Sequence, residues 1–424
     1  AGVVGTNEDV AAIGITGNLD LDAAIGSGAT AGATSINVSG TSDLGANVKT
    51  TGDQTYTDAA TISADITLTT TSNGTVSFGS TTNGAQTLSI TTNGTGDVTF
   101  TDDVGGTAGL NGLTISTNDF NAVDLKVGGT ISITNTGTSS EITGVIANDD
   151  TAAVFTKAGT GTLTLSGTNT YSGATTISGG IIAISDPNSL GTTGGATTVN
   201  SGAALYISNA ITVAEPITIS GTGISSGGAI RFTANNNTYS GAITLGATST
   251  IVSNSGQQTI SGTINGTNDD TEALTITAND DLTISGVIGG IANKQLSTLD
   301  ITTTGTGVLT LSNNITTDGD QAYTAAGGVL LGANITLTAT GSDILFSGIA
   351  STVDSDGTTR NLTVSASEIE FDGVVGGGAA LGAISITGDL DLDANITSAT
   401  SLSVSADTNL AANVTTSSTQ TYGN

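Results

Sequence analysis

Four aspartates in a repeated tetrapeptide offer the first chemistry of this chain. Asp20 and Asp22 lie in LDLD at residues 19–22, and Asp391 and Asp393 lie in its copy at residues 390–393. Residues two apart on a strand share a face, so each pair sets two carboxylates about 6–7 Å apart with the leucines pointing the other way. Oxygen donors so placed suit Ca²⁺, alone or with a neighbouring strand. The plain alternative is solvated surface charge, and the acidic stretches NDDTE at 268–272 and ANDD at 147–150 and 278–281 pose the same choice. Ca²⁺ is the single candidate cofactor, with these four aspartates as its ligands. The glycine-rich, Asp-bearing nonapeptide of calcium-binding toxins is absent.

Other chemistry is thin. The 424 residues include no His, Cys, Met or Trp, and the six cationic residues, Lys49, Lys126, Lys157, Arg231, Lys294 and Arg360, are scattered singly. A polysaccharide lyase needs clustered bases to take a proton and neutralise a uronate. A glycosidase needs two carboxylates but also aromatic platforms, and only 6 Tyr and 7 Phe are present. Most of these rings, such as Phe100 and Phe371, occupy repeat positions that read as core. No enzyme is expected. The net charge of −30 disfavours nucleic acid and anionic membranes as partners. No apolar run reaches the roughly 20 residues of a membrane-spanning helix, so direct membrane insertion is not expected. GGVLLGA from Gly327 is followed by no helix to present a phosphate site.

The elements that must position such groups are short strands. TLTLSG at 162–167 alternates Leu163 and Leu165 against Thr164 and Ser166, and the same period of two returns in LTISG ending at Gly286, VLTLSN ending at Asn313, NLTVSAS ending at Ser367 and ISITG ending at Gly388. Gly, Asn and Asp close each run. With two Pro and no period of 3.6, helix should be almost absent. A mean hydropathy of +0.18 marks a folded chain despite the charge.

Internal repetition chooses the architecture. GDQTYTDAATISADITLTTT from Gly52 returns as GDQAYTAAGGVLLGANITLTAT from Gly319, and QTY recurs at 420–422. FTDDVGGTAGLNGLTIS from Phe100 returns as FDGVVGGGAALGAISIT from Phe371, and VVGTNEDVAAIGITGNLDLDAAI from Val3 as VVGGGAALGAISITGDLDLDANI from Val374. Diverged modules therefore start near 2, 102, 286 and 373, with no linker or insertion loop expected between them. A few six-residue strands cannot bury their own apolar face, but stacked coils can. The reading is all-β: one continuous right-handed parallel β-helix, a β-solenoid, over 1–424. About 20 residues per coil would make roughly 20 coils and a rod about 100 Å long. Thr and Asn on outward positions are expected to form hydrogen-bond ladders between coils.

GTGTLTLSGTNTYSGATTISGGIIAIS from Gly159, with SLG at 189–191, resembles the passenger-associated repeat of bacterial autotransporters, here spanning 159–191. The VGG and QTY modules resemble filamentous-haemagglutinin-like surface proteins of Gram-negative bacteria. These resemblances imply a parallel β-helix in the extracellular space or on the outer cell surface of a Gram-negative bacterium. The function they imply is a structural repeat region: stalk, sheath, surface-layer or filament subunit. An adhesin passenger that binds host, surface or glycan is the alternative, with cell-surface or matrix components as partners, and a polysaccharide-degrading β-helix is the remote one. The chain begins in a GVVG block and stops at QTYGN with a coil unfinished. Open strand edges recruit strands, so the chain itself is the expected partner, through end-to-end stacking or as part of a longer polypeptide.

Overall fold

Alternating β-branched and small polar residues interrupted by Gly, Asn and Asp can satisfy their backbone only by pairing with other short strands. The computed structural model describes residues 4, 10–26, 32–268 and 270–423. Among the described residues every paired strand is parallel to its neighbour, and the one helical element is a 3-10 turn at Ile224–Ser226. The chain is a parallel β-solenoid of about 18 turns. Coils are longer than the sequence suggested, which lowers their number: Val76 pairs with Val98, a step of 22 residues, and Tyr323 with Phe346, a step of 23. The module start near 2 and Asp269 of the NDDTE stretch lie outside the described residues.

The first compact unit is Ala1–Leu205. One of its sheets stacks strands Ile66–Thr70, Thr87–Thr91, Leu110–Thr117, Leu125–Asn135, Val154–Ala158 and Thr175–Ile177. The register keeps apolar positions in line: Ile66, Leu88, Leu113, Ile131 and Phe155 face one another in succession. Leu88, Leu113, Ile131 and Phe155 have no exposed surface. On the next sheet Tyr56, Phe78 and Phe100 are in register and stack, with ring centroids 5.1 and 4.8 Å apart. Phe120 closes this stack edge-on at 6.2 Å.

The second unit, Tyr206–Asn424, repeats the arrangement. Leu274, Leu299, Gln321, Ile344, Ile369 and Leu390 form one inward file. Tyr323, Phe346 and Phe371 stack at 5.2 and 5.0 Å. Phe100 and Phe371 are therefore core, at 1% and 0% exposure, as their repeat positions implied.

Asn and Asp side chains serve the structure at the corners. Asn47 Oδ1 accepts the backbone N–H of Thr67 at 2.7 Å and Asp65 Oδ1 that of Thr87 at 2.8 Å, each bond reaching one coil onward. In the second unit Asn314 serves Thr336 at 2.8 Å and Asp320 serves Asp343 at 3.1 Å. A short acceptor side chain at these bends thus satisfies an N–H that the sheet ladder leaves unpaired. Thr and Asn add inter-coil bonds of their own near the strand ends: Thr101 Oγ1 donates to Phe78 O at 3.2 Å, Thr233 Oγ1 to Ile207 O at 3.1 Å and Asn93 Nδ2 to Thr71 O at 3.3 Å. Other Thr hydroxyls tuck back into their own bend, as Thr70 does to Gly74 O at 2.6 Å and Thr303 to Gly307 O at 2.6 Å.

The glycine ending LTISG is dictated by close approach. A Cβ on Gly262 would collide with the carbonyl oxygen of Gly241, and one on Gly286 with that of Gly262. Backbone rests on backbone there. Connections are less uniform than expected, with two residues at 123–124, thirteen at 285–297 and an eight-residue excursion at 222–229 carrying the 3-10 turn. Gly223, Ser225, Ser226 and Gly228 all take positive φ in that excursion. Extra residues cost little at a corner, since the coils on either side remain paired.

Candidate functional site

Three carboxylates converge on one outward face of the second unit. Strand Leu362–Phe371 carries Glu370 in the alternating run EIEF, and Asp372 follows two residues later on the same side. The next coil, strand Leu381–Leu392, lies in register so that Asp391 faces Glu370 and Leu392 faces Phe371. Asp393 then comes beside Asp372. Carboxylate oxygens of Glu370, Asp372 and Asp393 all lie within 4.8 Å of one another. Partial burial, the Asp372 carboxyl and the charges of Asp391 and Asp393 together push the Glu370 carboxyl above its ordinary value. Gly348 N–H donates to Asp372 Oδ2 at 2.6 Å, and Asn409 Nδ2 to Asp391 Oδ1 at 3.0 Å.

The four aspartates named from sequence thus fare differently. Asp393 joins a group able to hold a cation, Asp391 borders it, and Asp20 and Asp22 are exposed. Asp20 faces Asp43 of the next coil, but Gly45, two residues beyond Asp43, supplies no carboxylate beside Asp22. Sequence reasoning missed Glu370 and Asp372 because each is unremarkable in its own strand. The signal lies in the spacing: Asp391 is 21 residues after Glu370, one coil.

All donors in this group are hard carboxylate oxygens, the set that fits Ca²⁺ and not a soft metal. A raised carboxyl pKa means the folded state holds a proton that the unfolded state releases, so the cluster costs stability as pH rises through that interval. Added Ca²⁺ is expected to offset this cost. In thermal melts at pH 7, millimolar Ca²⁺ should raise the melting temperature of the chain, and Asp393→Asn should both remove the calcium response and raise the calcium-free melting temperature. Equal calcium response in the variant would show that the ion acts elsewhere.

The cationic residues do not assemble. Lys126 pairs with Asp149 at 2.7 Å, Arg360 with Asp356 at 2.7 Å, and Arg231 bonds Tyr206 Oη at 3.2 Å with its guanidinium 5.3 Å from that ring. Lys157 alone is fully buried: Nζ donates to the carbonyls of Ala158 at 2.7 Å, Gly179 at 3.3 Å and Gly159 at 3.5 Å, and burial lowers its pKa to about 8.

Lys157 stands just ahead of the autotransporter-like stretch at 159–191, and its neighbours show how that stretch is built. Phe155 stacks on Tyr171 at 6.0 Å, and Tyr171 Oη and Thr175 Oγ1 share a 2.6 Å hydrogen bond. Asn169 Oδ1 accepts from Ile146 N–H at 2.8 Å while its Nδ2 donates to Ser189 O at 2.5 Å, tying three coils together. Gly173 packs against the Ala153 carbonyl. The distinctive residues of this segment are thus used to close and stack the coil. Residues 155–184 match the passenger-associated-transport-repeat family. No curated protein and no solved structure matches the chain.

Proposed function

We propose that the chain is a structural repeat region of a bacterial cell-surface or extracellular protein, a length of stalk or filament whose work is to extend and resist. The observation that carries this reading is the use of the passenger-type segment 155–184: its Phe155, Lys157, Asn169, Tyr171 and Gly173 all hold the coil together. Family and fold support display outside the cell, and a Gram-negative source fits the autotransporter likeness.

Self-association is part of the same proposal. In the first unit Tyr56 Oη donates to Gln54 Oε1 at 3.2 Å and the ring is covered by Phe78; in the second, Tyr323 bonds Gln321 at 2.7 Å beneath Phe346. Tyr422 makes the equivalent bond to Gln420 at 3.0 Å, so the same Gln–Tyr pair recurs along the chain. Light scattering and negative-stain microscopy of the isolated chain should show end-to-end oligomers that grow with concentration. A monomer at high concentration would overturn the association. Saturable binding to a glycan array would favour an adhesin, and turnover of a polysaccharide lost with Asp393→Asn would overturn the structural reading.

A further inference from the structure

The sheet of the first unit that contains Ile66–Thr70 presents a two-dimensional lattice of hydroxyls. Thr67, Ser89, Thr114, Ser132, Thr156 and Thr176 face one another in unbroken register over six coils. A second file, Thr69, Thr91, Ser116 and Thr134, runs beside it on the same strands. Every one of these residues is half-buried or exposed, between inward neighbours such as Leu68, Ile90, Ile115 and Ile133 that are at most 1% exposed. Neighbours within a file are about 4.8 Å apart and the two files about 6.6 Å apart, the spacings of coil stacking and of alternate residues along a strand.

Two properties set this face apart. None of its hydroxyls is used in an intramolecular hydrogen bond, in contrast to the strand-end Thr70, Thr92 and Thr303. No carboxylate stands in either file, although the chain carries a charge of −30. An uncharged, pre-ordered array of hydroxyls and methyls whose donors and acceptors are all unspent is complementary to a partner with a matching periodic set of hydroxyls. We propose that this face binds ice, whose surface is likewise an uncharged, periodic lattice of hydrogen-bonding oxygens. The threonine methyls order water between them and the hydroxyls complete its hydrogen bonds, so little conformational entropy is lost on binding. Crystalline polysaccharide has a hydroxyl lattice too, but its recognition would call for ring platforms, and neither file contains an aromatic residue. The proposal is independent of the structural role above.

The test uses the whole 424-residue chain in a nanolitre osmometer and in an ice-recrystallisation assay. Faceted crystals and suppressed grain growth are expected. Thr114→Glu combined with Thr134→Glu should leave the melting temperature nearly unchanged, because both side chains are outward and unbonded, and should abolish faceting. Ala183→Glu, on an outward position of another sheet, should keep it. Rounded crystals growing as in buffer, equal loss with Ala183→Glu, or retention on microcrystalline cellulose without any effect on ice would each overturn the assignment.

Discussion

Phe346→Ala is expected to destabilise the second unit by about 3–5 kcal/mol, the usual cost of deleting a buried ring. The ring has no exposed surface and sits in the middle of a file, stacked on Tyr323 at 5.2 Å and on Phe371 at 5.0 Å with interplanar angles of 25° and 10°. Both neighbours would lose a partner, and each stacked pair adds about 0.5–1.5 kcal/mol beyond the area it buries. Relaxation cannot refill the space easily, because the coils above and below are held at strand spacing by backbone ladders on either side. In a solenoid each coil leans only on its neighbours, so the loss should stay local. Hydrogen exchange should quicken around Gln321–Ala325, Ile344–Phe346 and Leu362–Phe371 while the Tyr56, Phe78 and Phe100 stack keeps its protection. Phe346→Leu should cost less than half as much. A loss below about 1 kcal/mol for the alanine variant would mean that the aromatic file is ornament and the ladders alone hold the coil.

That file is legible in the amino-acid sequence itself, since FTDDVGG and FDGVVGG place Phe100 and Phe371 at equivalent repeat positions and alternation points them inward. Alternation also identifies the strands, because period two has one meaning in a chain without helix formers. The partners across coils are harder to read. Glu370 meets Asp391 only because the step between them is 21 residues, whereas Val76 meets Val98 at 22 and Ile36 meets Gln54 at 18. A corner absorbs or drops residues without disturbing the sheets, so register varies from coil to coil and cannot be carried along by counting. Corner chemistry is hidden for a related reason. Asn and Thr both look like ladder residues in sequence, but only a side chain at the bend, such as Asp65, lies within reach of an unpaired N–H in the next coil.

Lys157 is one more scattered cation in the sequence, whereas the fold makes it a buried amine. Phe155 and Lys157 alternate inward on strand Val154–Ala158, so the side chain is buried and ends among the carbonyls of Ala158, Gly159 and Gly179. Gly180, at φ +68, makes room: a Cβ there would lie 2.8 Å from Nζ. Carbonyl dipoles stabilise an ammonium, yet desolvation outweighs them and lowers the pKa from 10.5 to about 8. Between those two values the unfolded chain holds a proton that the folded chain has released. Stability must therefore rise with pH from about 8 to about 10.5, by about 3 kcal/mol at most.

Tyrosines set the upper limit of that rise. Burial raises the pKa of Tyr56, Tyr239 and Tyr323 well above 10, so unfolding lets them ionise and stability falls once pH passes about 10. The expected profile climbs from about pH 8, peaks near pH 10 and then drops. Lys157→Met should erase the climb and keep the drop. At about pH 7 its net effect balances a removed desolvation cost against three carbonyls that lose their donor, each worth about 1–3 kcal/mol if left unpaired, so the profile and not the single-pH stability is the diagnostic. Denaturant titrations at half-unit steps from about pH 7 to about pH 11 read it directly. A climb that persists in Lys157→Met would place the titrating group elsewhere, and a wild-type profile flat to about pH 10 would mean that the carbonyl cage compensates fully for burial, leaving Lys157 a permanently charged internal tie between the coils at Gly159 and Gly179.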